Sequence, residues 1–224
     1  DVNLLGNHRA ILNLDRTYTS PILVEIPWRR PDLNPETKKI IIVDAESGKS
    51  IDEVSVIENN SEKGTIVFKP ISGSKTYFIY YLPYKFRKGY DDARYGKPWN
   101  DYLVVEESSI SEWDKKYKKN YKTYLRISVN KIESRTRFDF FTSMGIIATK
   151  SEQNEIKNKY PDKDFILFPE DRAFPIRSIK QLPYRWVENG SKQEFQGIVQ
   201  RNEYYTWQIG LWASKKDLQN VRIQ

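Results

Sequence analysis

The sequence has no cysteine, which excludes disulfides, thiolate metal sites and a cysteine nucleophile together. The redox compartment stays open, because cysteine-free chains occur among exported and cytosolic proteins alike. A single histidine, His8, excludes a two-histidine metal site. It would also have to serve any Ser-His-Asp triad, yet no G-x-S-x-G elbow supplies the serine. A hydrogen-bonded structural histidine beside a strand is the expected role. Ten glycines are spread thinly and form no nucleotide-binding loop. No apolar run approaches the roughly 18–20 residues that a membrane-spanning helix needs. Neither an initiator methionine nor an apolar leader stands at Asp1, so a processed mature form or a trimmed piece is expected.

Aromatic residues are plentiful. They make up 14% of the chain and charged residues 30%, a mixture that suits a soluble all-β or α+β protein rather than a disordered segment. A length of 224 residues fits one large domain or two small ones. The net charge of +7 raises the question of nucleic acid. Its densest source is Lys115-Lys116-Tyr117-Lys118-Lys119-Asn120-Tyr121-Lys122. Ile110, Trp113, Tyr117, Tyr121 and Tyr124 recur there at helical spacing and predict one apolar stripe, with the lysines on the opposite, solvated face. Ser109 and Glu112 have the spacing of a capping box that opens this helix. Elsewhere cations alternate with acids, and neither zinc-finger spacing nor an RNA-recognition motif is found. No nucleic-acid partner is expected.

Most of the remainder reads as short strands between turns. Ile22, Val24 and Ile26 alternate before Pro27-Trp28-Arg29-Arg30-Pro31 ends the run. Ile40-Ile41-Ile42-Val43 is fully apolar, as in a strand covered on both faces. Turns at 44–49, 61–64 and 72–74 lead to strands at Val54–Val56, Thr65–Phe68 and Tyr77–Tyr81. This rhythm predicts a mostly β protein, an antiparallel β-sandwich of Ig-like or galactose-binding-like type with a helical insertion. Residues 1–84 form the first part of the sandwich, 85–145 the loop and helical insertion, and 146–224 the remaining sandwich strands.

The insertion carries an aromatic surface loop, a helix, and a strand around Arg126–Ile132. In the last part, Thr149 and Glu152 make a second capping box, whose helix carries Ile156 and Tyr160 and stops before Pro161. Strands are expected at Phe165–Phe168, Glu194–Val199, Tyr204–Trp212 and Val221–Ile223, the last running to the final residue as if cut inside a longer protein. Trp113, Trp207 and Trp212 read as core or interdomain contacts.

Two adjacent carboxylate pairs draw attention. Asp52-Glu53 opens a short strand, where neighbours point to opposite faces, so the two acids diverge. Glu170-Asp171 reads as the polar end of a strand, offset by Arg172 and Arg177. Asp91-Asp92 lacks the third carboxylate that a cation site would want. Trp28, Trp99, Tyr90 and Tyr95 fall in predicted loops or at strand ends. There an exposed ring can stack on a pyranose, although rings such as Trp28 and Trp99 more commonly pack under their own loops.

Several blocks, in order along the chain, resemble the N-terminal, non-catalytic domain of family 123 glycoside hydrolases, a group of bacterial glycoside hydrolase domain-containing proteins. They are Gly6–Ala10, Ile26–Arg30, Asn34-Pro35-Glu36, Ile41–Asp44 and Tyr80–Tyr84, then Ile146–Thr149, Phe165–Arg172, Pro175-Ile176-Arg177, Leu182–Trp186, Arg201–Tyr205 and Gln208-Ile209-Gly210. Ser143-Met144-Gly145 departs from a Pro-Met-Glu-like triplet, and Asn202 stands where glycine is usual. The resemblance implies a β-sandwich ahead of a barrel-type catalytic domain. Related enzymes remove terminal N-acetylgalactosamine with an adjacent Asp-Glu pair and the substrate's own acetamido group as nucleophile, without metal or organic cofactor. That pair belongs to the barrel, so no catalytic residue and no metal ligand is expected here, and Asp52-Glu53 matches no catalytic position of the family. The resemblance further implies an exported location (periplasmic, cell-surface or extracellular). The partners it implies are the catalytic domain of the same protein and a glycan. A stand-alone carbohydrate-binding module is the alternative.

Overall fold

Runs of β-branched and aromatic residues in the first part of the chain pair into two sheets, while the last part folds around its own short ribbon. A computed structural model describes residues 5–86, 100–105, 111–177 and 181–222. The chain splits into two compact units, Asp1–Trp28 with Asp32–Phe140, and Arg29–Pro31 with Phe141–Gln224.

Unit 1 contains β1 (His8–Asn13), β2 (Ile22–Ile26), β3 (Ile41–Asp44), β4 (Ser50–Ile51), β5 (Val54–Asn59), β6 (Gly64–Phe68), β7 (Thr76–Tyr80), β8 (Tyr84–Phe86), β9 (Asn100–Tyr102), α1 (Glu112–Asn120), β10 (Leu125–Ser128) and β11 (Lys131–Ser134). One sheet has the order β11-β1-β7-β3-β4 and the other β10-β2-β6-β5, with β8 and β9 paired separately. The pairings are antiparallel except β10 beside β2, which is parallel.

Strand alternation puts Ala10 and Leu12 of β1 in register with Ile79 and Tyr77 of β7, and those with Ile42 and Asp44 of β3. All six are buried. In the second sheet Ile22 faces Phe68 and Val24 faces Ile66, again buried. The edge of Phe68 meets Tyr77 with ring centroids 5.2 Å apart, so the inner faces of the two sheets touch in a sandwich. The reading as a mostly β, sandwich-type protein therefore holds.

Leu23 and Val67, on the other face of the second sheet, pack with Tyr117 of α1, flanked by Trp113, Tyr121 and Tyr124. The predicted stripe thus covers a sheet, and β2 and β6 are buried on both sides. Ile40–Val43 is not. Ile41 and Val43 are only half-buried, because the outer side of their sheet is roofed by a long polar chain. The guanidinium of Arg9 lies 3.9 Å over the Phe78 ring and pairs with Glu133 at 2.6 Å.

The lysines of α1 point to solvent, Lys115 paired with Glu112 and Lys118 with Asp114. Ser111, not Ser109, caps the helix, its Oγ accepting from the Asp114 N–H at 3.3 Å; Ser109 lies outside the described residues. The expected strand at 126–132 is two strands in different sheets. Between them the chain crosses the sandwich, with the Val129 N–H donating to Glu25 and the Asn130 N–H to Ile11. Among the described residues the strands of the two sheets all lie between His8 and Ser134, and residues 146–224 add none. They were expected to do so, but their strands pair with each other.

Unit 2 contains α2 (Lys150–Lys159), β12 (Phe165–Asp171), α3 (Tyr184–Asn189) and β13 (Trp207–Ala213). The Thr149–Glu152 capping box is formed, and α2 ends before Pro161 as expected. β12 and β13 pair antiparallel along seven residues each. Ile166 and Phe168 on their inner side pack with Ile156, Leu182 and Trp186. Glu194–Val199 is extended without ladder partners, held instead by Phe195 stacked on Trp207 at 4.9 Å. Val221 and Arg222 are likewise not in a strand.

Gly64 is where unit 1 has no spare room. A Cβ there would lie 2.1 Å from Cη2 of Trp28. Gly64→Ala is expected to lower the stability of unit 1 by about 1–3 kcal/mol through overpacking. Denaturant unfolding measures this, and an unchanged midpoint would contradict the close approach.

Candidate functional site

The polar groups of unit 2 gather at the C-terminal end of β12. Ile166, Phe168 and Glu170 share the inner side of this strand, so the third inward position of an apolar row is a carboxylate. Glu170 is only 5% exposed, which requires that its oxygens be bonded inside the fold. The indole Nε1 of Trp186 donates to it at 3.0 Å, and Nε of Arg185 reaches both of its oxygens at 3.2 Å. Arg185 in turn covers the Phe174 ring at 3.6 Å. The cavity beside this cluster, next to Gly190 and Lys192, measures only about 10 Å³, room for one water and not for a sugar.

Asp171 points the opposite way, as strand geometry dictates. It accepts from the Tyr205 hydroxyl and from the Ala173 N–H at 2.8 Å. The Tyr205 bond first, and the Ala173 N–H second, hold its carboxyl below the usual aspartate range. The same bond raises the tyrosine. Arg172 lies 4.6 Å over the Tyr205 ring and pairs with Glu203 rather than with the acids preceding it. Glu203 also accepts from the Gln200 N–H at 2.9 Å, closing the turn in which Asn202 takes φ 65°. That left-handed conformation accounts for asparagine where glycine is usual. Glu170 and Asp171 are thus separately engaged structural acids, not a paired acid and base.

The other pair has a similar fate. Asp52 and Glu53 lie between β4 and β5, and Glu53 accepts from the Tyr117 hydroxyl at 3.3 Å, anchoring α1. Burial, with Glu53 adding to it, pushes that hydroxyl up to about 12. His8 has Nε2 2.6 Å from the Asp139 carbonyl oxygen, a structural contact of the kind expected. Among the described residues no three His, Cys, Asp or Glu side chains cluster to hold a metal, and no helix is long and apolar enough to cross a membrane.

Trp28 is buried, with 3% exposure. Its ring stacks on Tyr81 at 5.2 Å, lies against Gly64, and donates Nε1–H to the Asn60 carbonyl at 2.7 Å. With its ring covered, it offers no face to a pyranose, and the expectation of a sugar platform at this residue is corrected. Trp99, Tyr90, Tyr95 and Asp91-Asp92 lie outside the described residues. Sequence reasoning missed Arg185 and Trp186 as the partners of Glu170. The signal was there, because a glutamate in phase with Ile166 and Phe168 must be buried and must find donors.

The outward side of the ribbon is different. Phe165, Leu167, Trp207, Ile209 and Leu211 lie together on it, each 37–45% exposed. Along its rim runs an open cleft of about 430 Å³, lined by Asp162, Lys163, Asp164, Ser191 and Gln193 and walled by Phe165 and Leu167.

Two packed sheets of mostly antiparallel strands in unit 1 define a mostly β protein. The family model described as Glycoside hydrolase 123, N-terminal domain, matches residues 1–135, and the chain belongs to that family. The match covers the sandwich strands, while the later blocks of the resemblance lie beyond it. No curated protein and no solved structure matches the chain.

Glu170→Ala would leave the Trp186 N–H and Arg185 without their acceptor. It is expected to cost about 1–3 kcal/mol in unit 2, with Glu170→Gln costing less because its amide oxygen still accepts. Equal unfolding midpoints for wild type and Glu170→Ala would refute the bracing role.

A pH effect should come from Glu152. Burial works to raise its carboxyl, but the Thr149 N–H and Arg29, 2.7 Å away, outweigh burial and hold it low. A depressed folded-state value gives stability that is full above the ordinary 4.5 and is lost as pH falls below it. Glu152→Gln should remove that share of the acid sensitivity, read by urea unfolding at about pH 7 and about pH 3.5. An equally steep acid loss in the variant would assign the effect to other groups.

Proposed function

We propose that this chain is the non-catalytic N-terminal part of an N-acetylhexosaminidase-type glycoside hydrolase of a bacterium, exported with the rest of the enzyme. In this reading it supports or borders the active site of a downstream barrel domain. The family match over the sandwich carries the reading. Support also comes from the carboxylates, since Glu53 serves Tyr117, Glu170 serves Arg185 and Trp186, and Asp171 serves Tyr205. Each of these carboxylates is thus bonded to a donor of its own unit.

The test is hydrolysis of an aryl N-acetylhexosaminide by the purified 224-residue chain and by the longer natural protein that contains it. The chain alone is expected to release no aglycone, and the longer protein to release it. Turnover by the chain alone would overturn the non-catalytic assignment, and inactivity of the longer protein on all hexosaminides would overturn the substrate class.

A further inference from the structure

The outward side of the β12–β13 ribbon is the largest feature of unit 2 that its own packing does not explain. In register across the two strands lie Leu167 opposite Leu211 and Pro169 opposite Ile209, with Phe165 at one end and Trp207 at the other. The five largest of these side chains keep 37–45% of their surface in solvent. Charged residues make up 30% of the chain, yet the only one on this side of the ribbon is Asp171, at its end and bound to Tyr205. The inner face of the ribbon carries its core, whereas the outer one has Phe195 stacked on Trp207 at one end and is otherwise exposed. A contiguous uncharged patch of this kind marks a contact surface rather than ordinary scatter.

We infer that this face is where the catalytic part of the same hydrolase polypeptide docks, through an apolar helix or sheet surface of its own. The inference rests on the function proposed above. It goes further by naming the surface. The occupant follows from two observations. The family to which the chain belongs is described as the N-terminal domain of a glycoside hydrolase, and in the function proposed above a catalytic part of the same polypeptide accompanies it at high effective concentration. The face also lacks the cations that an anionic lipid surface or a nucleic acid would require. A glycan would seek open rings with polar groups between them, but Trp207 already gives one ring face to Phe195. The apolar wall of the neighbouring cleft is formed by Phe165 and Leu167 and so belongs to the same contact.

The absence of cysteine from the chain makes the test clean. Ile209→Cys places a thiol on the face, and Lys119→Cys places one on the solvated side of α1. Each is made in the 224-residue chain and in the longer protein, with any downstream cysteine replaced by serine, and maleimide labelling rates are compared. In the chain alone both positions are expected to react at similar rates. In the longer protein, position 209 should slow by about tenfold or more while position 119 is unchanged, since thiol reactivity follows exposure.

Equal rates at position 209 in the two proteins would overturn the inference. So would slowing in the chain alone that grows with protein concentration, which would make the occupant a second copy. Slowing in the chain alone by N-acetylhexosamine oligosaccharides would make it a glycan. If position 209 is protected but the longer protein hydrolyses no hexosaminide, the docking surface stands and the hexosaminidase reading falls.

Discussion

In each unit an indole ring closes on a glycine. Trp28 occupies the space above Gly64, and Trp186 that above Gly210, where an added Cβ would fall 2.1 and 2.2 Å from the rings. Both indoles also have their N–H satisfied, one by the Asn60 carbonyl and the other by Glu170. A further ring stacks on each, Tyr81 in the first case and Phe168 in the second, the latter at 4.4 Å and nearly parallel. A large rigid side chain held by a stacked ring, a glycine and its polar corner has one position to occupy. Each unit sets its core around that position.

In this arrangement the carboxylates nearest the cores hold rings and helices. Glu170 orients the Trp186 indole and clamps Arg185, which in turn covers Phe174. Glu53 and Asp114 tie α1 to the second sheet through Tyr117 and Ser55. Polar groups engaged in this way make a fold specific and stiff.

Local signals in the sequence were reliable where a single element decides the outcome. The alternation of Ile22, Val24 and Ile26, the tyrosine stripe of α1 and the Thr149–Glu152 cap all read through to structure. What escaped depends on partners far away in sequence. Glu194–Val199 has strand composition but meets no ladder, because Phe195 is taken by Trp207. Ile40–Val43 looks doubly covered, yet Ile41 and Val43 are only half-buried, and beside them Arg9 lies over Phe78. The sequence places a boundary at 145, near the division at residue 140, but not the separate pairing beyond it, since β12 and β13 resemble sandwich strands in every respect except whom they pair with. Of the acids, Glu170 was legible as buried from its phase, but its donors came from a helix whose packing no local pattern announces.

The central question is whether unit 2 offers a surface or a site. A solved structure of the longer hydrolase, with a hexosamine ligand bound, answers it. Leu167, Ile209 and Leu211 are expected to be covered by another part of the same polypeptide, with the ligand held by carboxylates outside these 224 residues. A ligand gripped by Glu170 or Asp171, with the ribbon face still open to solvent, would contradict this expectation.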